Sequence, residues 1–178
     1  MFLRLGRRRE RQETIERLYG AIVAQARMPV FYTDLAVPDT LEGRFDMIVL
    51  HVYLVYRRLA GEADAAREIG QGVFDRFIED MDASLREMGT GDMAVPKRMR
   101  TLGEAFYGRA AAYDAALEAE DNRALAQALW RNVYGGRAGA EPLSLQLARY
   151  VRQAASSLVK QDAQTIARGE FQLPAPEV

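Results

Sequence analysis

The stretch from Leu41 to Leu59, LEGRFDMIVLHVYLVYRRL, constrains this chain more than any other. At about 100° per residue, Leu41, Phe45, Ile48, Val49, Val52, Val55, Tyr56 and Leu59 fall on one broad face, which is the period of a helix. Met47, Leu50 and Leu54 carry apolar surface onto the other side, so neighbouring helices should surround this one. Asp39 is placed to cap its first turn with Glu42 three residues on, and Pro38 blocks backward extension. His51 interrupts the apolar run, and Arg44, Asp46, Arg57 and Arg58 flank it. The run is thus far short of the roughly 20 residues of a membrane span. The segment is expected to be a buried central helix. Arg44, His51 and Arg58 recur every seven residues and form a polar stripe beside the core face. That stripe fits either a solvated, partly packed margin or a partner-binding one.

The remaining segments are helical as well. Ile15, Leu18 and Ile22, with Tyr19 and Val23, predict a first amphipathic helix from Arg11 to about Met28, where Pro29 ends it. The connector VFYTDLAVP holds at most one helical turn, and its Phe31 and Tyr32 are expected to anchor it on the core. A third helix from about Ala63 to Met88 presents Phe74, Phe77, Ile78, Met81 and Leu85, with a bend or break predicted at Gly70 and Gly72. Pro96 opens a long helix through Met99, Leu102, Phe106, Ala110, Tyr113 and Leu117. Asp121 or Asn122 caps a helix carrying Leu125, Leu129 and Val133, with Trp130 as a core or margin anchor. A final helix begins near Glu141 and Pro142 and presents Leu143, Leu147, Tyr150, Val151, Ala154 and Leu158. No segment alternates with period two for long enough to be a strand. The expected fold is all-α, a single-domain bundle of roughly six or seven helices around the central one. A basic arm at 1–10 would precede a helical domain at 11–168, and a tail at 169–178 would be loose or laid along the body.

Composition removes whole classes of chemistry. The chain has no cysteine and one histidine, which excludes thiolate catalysis and the usual zinc sites. A Ser-His-Asp triad would rest on His51, inside an apolar helix with no G-x-S-x-G turn before it. Walker, G-x-G-x-x-G and H-E-x-x-H motifs are missing. Asp75, Glu79 and Asp82 share a helix face, but the histidines of a di-iron bundle do not accompany them, and a solvated or docking face is the simpler reading. Catalytic residues, metal and cofactor are therefore expected to be none, with neither DNA nor a small-molecule substrate as partner. Lys and Arg number 24 against 25 Asp and Glu, a net charge of −1, so any anion binding must be local. Arg4, Arg7, Arg8, Arg9 and Arg11 make such a patch, either a frayed solvated terminus or a contact for an anionic membrane surface or the ribosome. No signal peptide follows it, and a cytoplasmic protein is expected.

Lys97, Arg98 and Arg100 break a local rule. They sit in the first turn of a helix, where the positive end of the macrodipole disfavours cations. Two readings remain open: Asp92 offsets them, or an external anion or acidic partner uses them.

Three ordered blocks then carry a resemblance. FYTDLAVPDTLEGRFDMIVLHVYLVYRRL, FIEDMDASLREMGTGDMAVPKRMR and EAFYGR, spanning about Phe31 to Arg109, resemble the ubiquinol-cytochrome c chaperone family, the bacterial relatives of a mitochondrial assembly factor for respiratory complex III. The resemblance implies binding to newly made cytochrome b, at the inner membrane, without enzymatic activity. The residues of this chain that match the blocks are Asp39, Gly43, Arg44, Phe45, Asp46 and Arg58, then Asp80, Asp82, Arg86, Gly91, Asp92, Pro96, Lys97 and Arg98, then Phe106, Tyr107 and Arg109. The expected client surface joins Arg44, Asp46, His51, Arg58, Asp80, Asp82, Asp92, Lys97, Arg98 and Arg100. The alternative is a peripheral ribosome- or RNA-binding protein that uses the two basic patches.

Overall fold

The computed structural model describes residues 2–87, 95–119 and 122–176. They form eight α-helices: α1 (Phe2–Ala26), α2 (Pro29–Thr33), α3 (Leu41–Ala60), α4 (Asp64–Glu87), α5 (Val95–Glu118), α6 (Arg123–Asn132), α7 (Glu141–Lys160) and α8 (Ala163–Ala167). Two of these, α2 and α8, have five residues each, so six longer helices build the body. No strand occurs among the described residues.

The fold is organised by α3, which packs against α1, α4, α7 and α8. Because neighbours cover it on several sides, its apolar residues are buried all round: Met47, Leu50 and Leu54 as well as Ile48, Val49, Val52, Val55 and Leu59. Leu41 departs from the expected core face and stands 60% exposed at the helix's first position. The cap also differs from expectation. Thr40, not Asp39, accepts the Gly43 N–H at 3.1 Å, and Asp39 pairs with Arg44 instead. The chain turns so tightly there that a Cβ on Gly43 would lie 2.0 Å from the Pro38 carbonyl oxygen.

Gly70 and Gly72 do not break their helix; α4 runs uninterrupted from Asp64 to Glu87. Their missing side chains serve packing. A Cβ on Gly70 would come within 3.0 Å of Leu59, and one on Gly72 within 2.3 Å of Ile15, so they let α3 and α1 approach α4 closely. The N-terminal segment is likewise continuous with α1, which starts at Phe2 and not near Arg11. At the other end α7 stops at Lys160, and α8 restarts where the Asp162 side chain accepts the Thr165 N–H at 2.9 Å. Expectations for Met88, Asp92 and Asp121 lie outside the described residues.

The long α5 is attached differently. It packs on α4 and α6 and meets α3 through large side chains: Tyr53 against Tyr113 at 5.4 Å and Tyr56 against Phe106 at 6.2 Å between ring centroids. An aromatic cluster fills the space between α3, α4 and α5. Phe74 lies 4.7 Å from Phe106 and 5.7 Å from Tyr107, and Phe45 stacks on Phe77 at 5.9 Å. Contacts of this kind contribute about 0.5–1.5 kcal/mol each beyond the area they bury.

Candidate protein-binding surface

The residues expected to face a client divide into two sets. The first set is consumed by the fold. His51 is 0% exposed, which overturns its place on a binding margin: α3 is covered on that side by α7 and by Phe31 of α2, whose ring sits edge-on 5.4 Å away. Its Nδ1 lies 2.7 Å from the Met47 carbonyl and its Nε2 2.7 Å from the Tyr150 hydroxyl. A carbonyl can only accept, so Nδ1 carries the proton and Nε2 accepts from Tyr150. Tyr150 in turn accepts from Gln25 Nε2 at 3.2 Å, and the polar chain thus links α3, α7 and α1. Burial holds the imidazole neutral and pushes its pKa down to about 4.

Arg58 also serves the fold. Its Nε and Nη2 donate to the carbonyls of Leu158 and Gln161 at 2.9 and 3.0 Å, satisfying acceptors at the C-terminal end of α7, and Glu62 pairs with it. Asp46 and Arg109 form a pair at 2.5 Å with side chains 15% and 23% exposed. Burial raises the Asp46 carboxyl, and the guanidinium partly offsets that. Asp80 accepts from the Tyr19 hydroxyl at 2.9 Å and approaches Arg76 at 3.7 Å, joining α1 to α4.

The second set is solvent-facing. Arg44 is exposed, 2.6 Å from Asp39 and 6.0 Å from the Tyr32 ring centroid. Asp82 pairs with Arg86 on its own helix at 2.7 Å, and Asp75 accepts from Gln71 at 2.8 Å. Among the described residues no group of three His, Asp or Glu side chains is arranged to hold a metal ion. Lys97 and Arg100 project into solvent from the first two turns of α5, and Arg100 faces Glu104 at 3.6 Å. Arg98 occupies the same turn, with its side chain outside the described residues, as are Asp92 and the side chains of Arg4 and Arg7. Arg8 and Arg9 are exposed, and Arg9 pairs with Glu13 at 2.9 Å. No described helix is long and apolar enough to cross a membrane.

One exposed residue was marked only by the sequence blocks. Tyr107 is 53% exposed yet rests on Phe74 and Phe106, so the ring is held by the aromatic cluster and still open to a partner. Amphipathic, pre-positioned aromatics of this kind carry much of the binding energy at protein interfaces. Other linkages lay beyond sequence reading, because their partners are far apart in the chain. Asp114 accepts from both Tyr53 and Arg57, at 2.7 and 2.6 Å. Arg152 donates to the carbonyls of Leu117 and Ala116 at the end of α5, at 2.8 and 3.1 Å.

This architecture and sequence match known proteins over most of the chain. The crystal structure of the Cbp3 homolog from Brucella abortus superposes with a TM-score of 0.89 at 41% sequence identity, covering 98% of this chain and 97% of that one. Ubiquinol-cytochrome-c reductase complex assembly factor 1 of Xenopus laevis is 28% identical over 151 residues, which are 84% of this chain and 74% of the frog protein. Mitochondrial protein CBP3 of Saccharomyces cerevisiae is 29% identical over 153 residues, 83% of this chain but 45% of the yeast protein. The chain therefore spans less than half of the yeast relative. The model of the ubiquinol-cytochrome c chaperone family matches residues 33–173, well past the Phe31–Arg109 blocks and through α6, α7 and α8. The match covers most of the chain, and the protein belongs to the ubiquinol-cytochrome c chaperone family.

Proposed function

We propose that this chain is an assembly factor for respiratory complex III that binds newly made cytochrome b, working peripherally at the inner membrane. The observation that carries the reading is the family match over residues 33–173, together with relatives that bear the name of ubiquinol-cytochrome-c reductase assembly factors. The sequence agrees in offering a helical body with no catalytic constellation, as befits a chaperone.

The client surface is proposed on the solvent-facing Lys97 and Arg100 of α5 together with Arg98 of the same stretch, on Tyr107 two turns further along the same helix, and on Arg44 at the start of α3. A newly made membrane protein presents apolar helices flanked by charged loops. Its chaperone needs an aromatic or apolar contact with charges beside it, and α5 combines the two. Arg8 and Arg9 on α1 are proposed to keep the protein close to anionic headgroups, where each cation contributes about 1 kcal/mol.

Deleting the gene and measuring cytochrome b and assembled complex III tests this reading. Both should fall, and the chain restored in trans should recover both. Normal complex III in the deletion strain would refute it.

A further inference from the structure

Beyond α8 the chain runs without helix to Pro176, and this segment is held down in an unusual way. It passes along α1, since Arg17 Nη2 donates to the Arg168 carbonyl at 3.0 Å and Gln25 Nε2 to the Pro174 carbonyl at 3.3 Å. It also passes the end of α7. There the Gln161 carboxamide makes both bonds of a strand pair with one residue: Nε2 donates to the Gln172 carbonyl at 2.7 Å, and Oε1 accepts the Gln172 N–H at 2.8 Å. Ser157 Oγ adds a donor to the same carbonyl at 3.4 Å. Both α1 and α7 pack on α3, and the Gln25–Tyr150–His51 chain connects all three helices below the segment. Residues 170–176 therefore lie as a strap in the furrow between α1 and α7.

The chemistry of that contact is general. The hydrogen bonds from Gln172 and Pro174 to the body all use the strap's main chain. Phe171 and Leu173 are half-buried against the core while Gln172 between them is exposed, the alternation of an extended strand. Main-chain hydrogen bonds with pockets for alternate side chains are how protein surfaces take up extended peptides. The Gln161 amide is also set in advance, because its Nε2 bonds the Ser157 carbonyl at 3.1 Å on its own helix. By contrast, α1, α4 and α5 are fastened by particular ion pairs such as Arg76 with Glu16 and Arg109 with Asp46.

We propose that the furrow between α1 and α7 is a docking groove for an extended segment of a partner protein, one with two apolar side chains two residues apart followed by proline. Residues 170–176 fill the groove in cis until such a segment displaces them. The strap itself demonstrates the chemistry the groove accepts, and its tether gives it an effective concentration in the millimolar range. A partner segment must compete with that. The groove stands apart from the α5 surface, and its test does not depend on the client's identity.

The test uses the full chain and a fluorescent synthetic peptide of residues 168–178. Leu173→Glu weakens the strap without touching the groove, so the peptide should bind that variant at least about tenfold more tightly than wild type. Adding Gln161→Ala should remove the gain. In the wild-type chain, excess unlabelled peptide should accelerate exchange of the Gln172 amide proton as the strap leaves. Equal peptide affinity for wild type and folded Leu173→Glu, or a gain that survives Gln161→Ala, would overturn the proposal. So would a Gln172 amide whose exchange ignores millimolar peptide, a readout that needs no variant to fold.

Discussion

Two helices of similar length, α3 and α5, use their polar residues in opposite ways. In α3 even the histidine in the apolar run is hydrogen-bonded at both ring nitrogens, and Asp46, Arg57 and Arg58 reach partners on α5, α7 and the turn after α7. In α5, Arg109 and Asp114 face inward to α3, while Lys97, Arg100 and Tyr107 face water. Cations in the first turn of a helix work against its dipole. A sequence that keeps Lys97 there, on a helix that also leaves the Tyr107 ring half-exposed further along, is not optimised for folding at that place. The contrast teaches that a polar residue on an apolar helix is evidence of function only where the fold has not already claimed it.

The largest expected effect lies on α3. His51→Ala removes two buried hydrogen bonds and opens a cavity, at a cost of about 3 kcal/mol, which for a domain of this size is a fall in Tm of roughly 10 °C. Thermal unfolding measures it directly; a shift below about 2 °C would show that the network does not hold the core. The same residue sets a pH dependence. Its folded pKa of about 4 lies below the ordinary 6.5, so the unfolded chain binds the proton more readily. The stabilisation is complete above pH 6.5 and is lost as pH falls from there through 4. Denaturant titrations at pH 7 and pH 5 should show wild type losing more stability than His51→Gln between the two.

A middle-sized effect is expected at the junction of α3 with α7. Arg58→Ala leaves the Leu158 and Gln161 carbonyls without their guanidinium donor and should cost about 1–2 kcal/mol. Amide exchange should locate the loosening in the last turn of α7 and in α8. An equal loss of protection in α5 would mean that the two sides of α3 are not independent.

The smallest effect on stability is expected on α5. Lys97→Glu with Arg98→Glu exchanges cations at a helix N-terminus for anions that the dipole favours, so Tm should stay level or rise slightly. Association with cytochrome b should nevertheless be lost and complex III should decline. A double variant that destabilises the protein as much as His51→Ala would erase the distinction between the two helices.

Much of this fold was legible in the sequence because helical periodicity is local. The positions of α3, α5 and α7 follow from spacings of three and four. The misreadings at Gly72 and His51 share one cause, contact between residues distant in the chain, whereas the cap at Thr40 and the start of α1 at Phe2 are local choices. Gly72 read as a weak point because Ile15, the side chain that needs its empty space, lies 57 positions earlier. His51 read as a margin residue because Tyr150, 99 positions away, supplies the hydroxyl that lets an imidazole be buried. The α5 cations were legible for the complementary reason: the dipole that opposes them belongs to their own helix. Tyr107 was marked by the family blocks alone, since nothing in its spacing separates a half-exposed ring from a buried one.

The account stands or falls on whether the solvent-facing residues of α5 touch the client. A photocrosslinking amino acid placed at Lys97 in cells, with Glu118 at the far end of the same helix as the control, measures this most directly. The prediction is a crosslink to cytochrome b from position 97 and none from position 118. Crosslinks from 118 alone, or none from 97 while complex III still assembles, would contradict it.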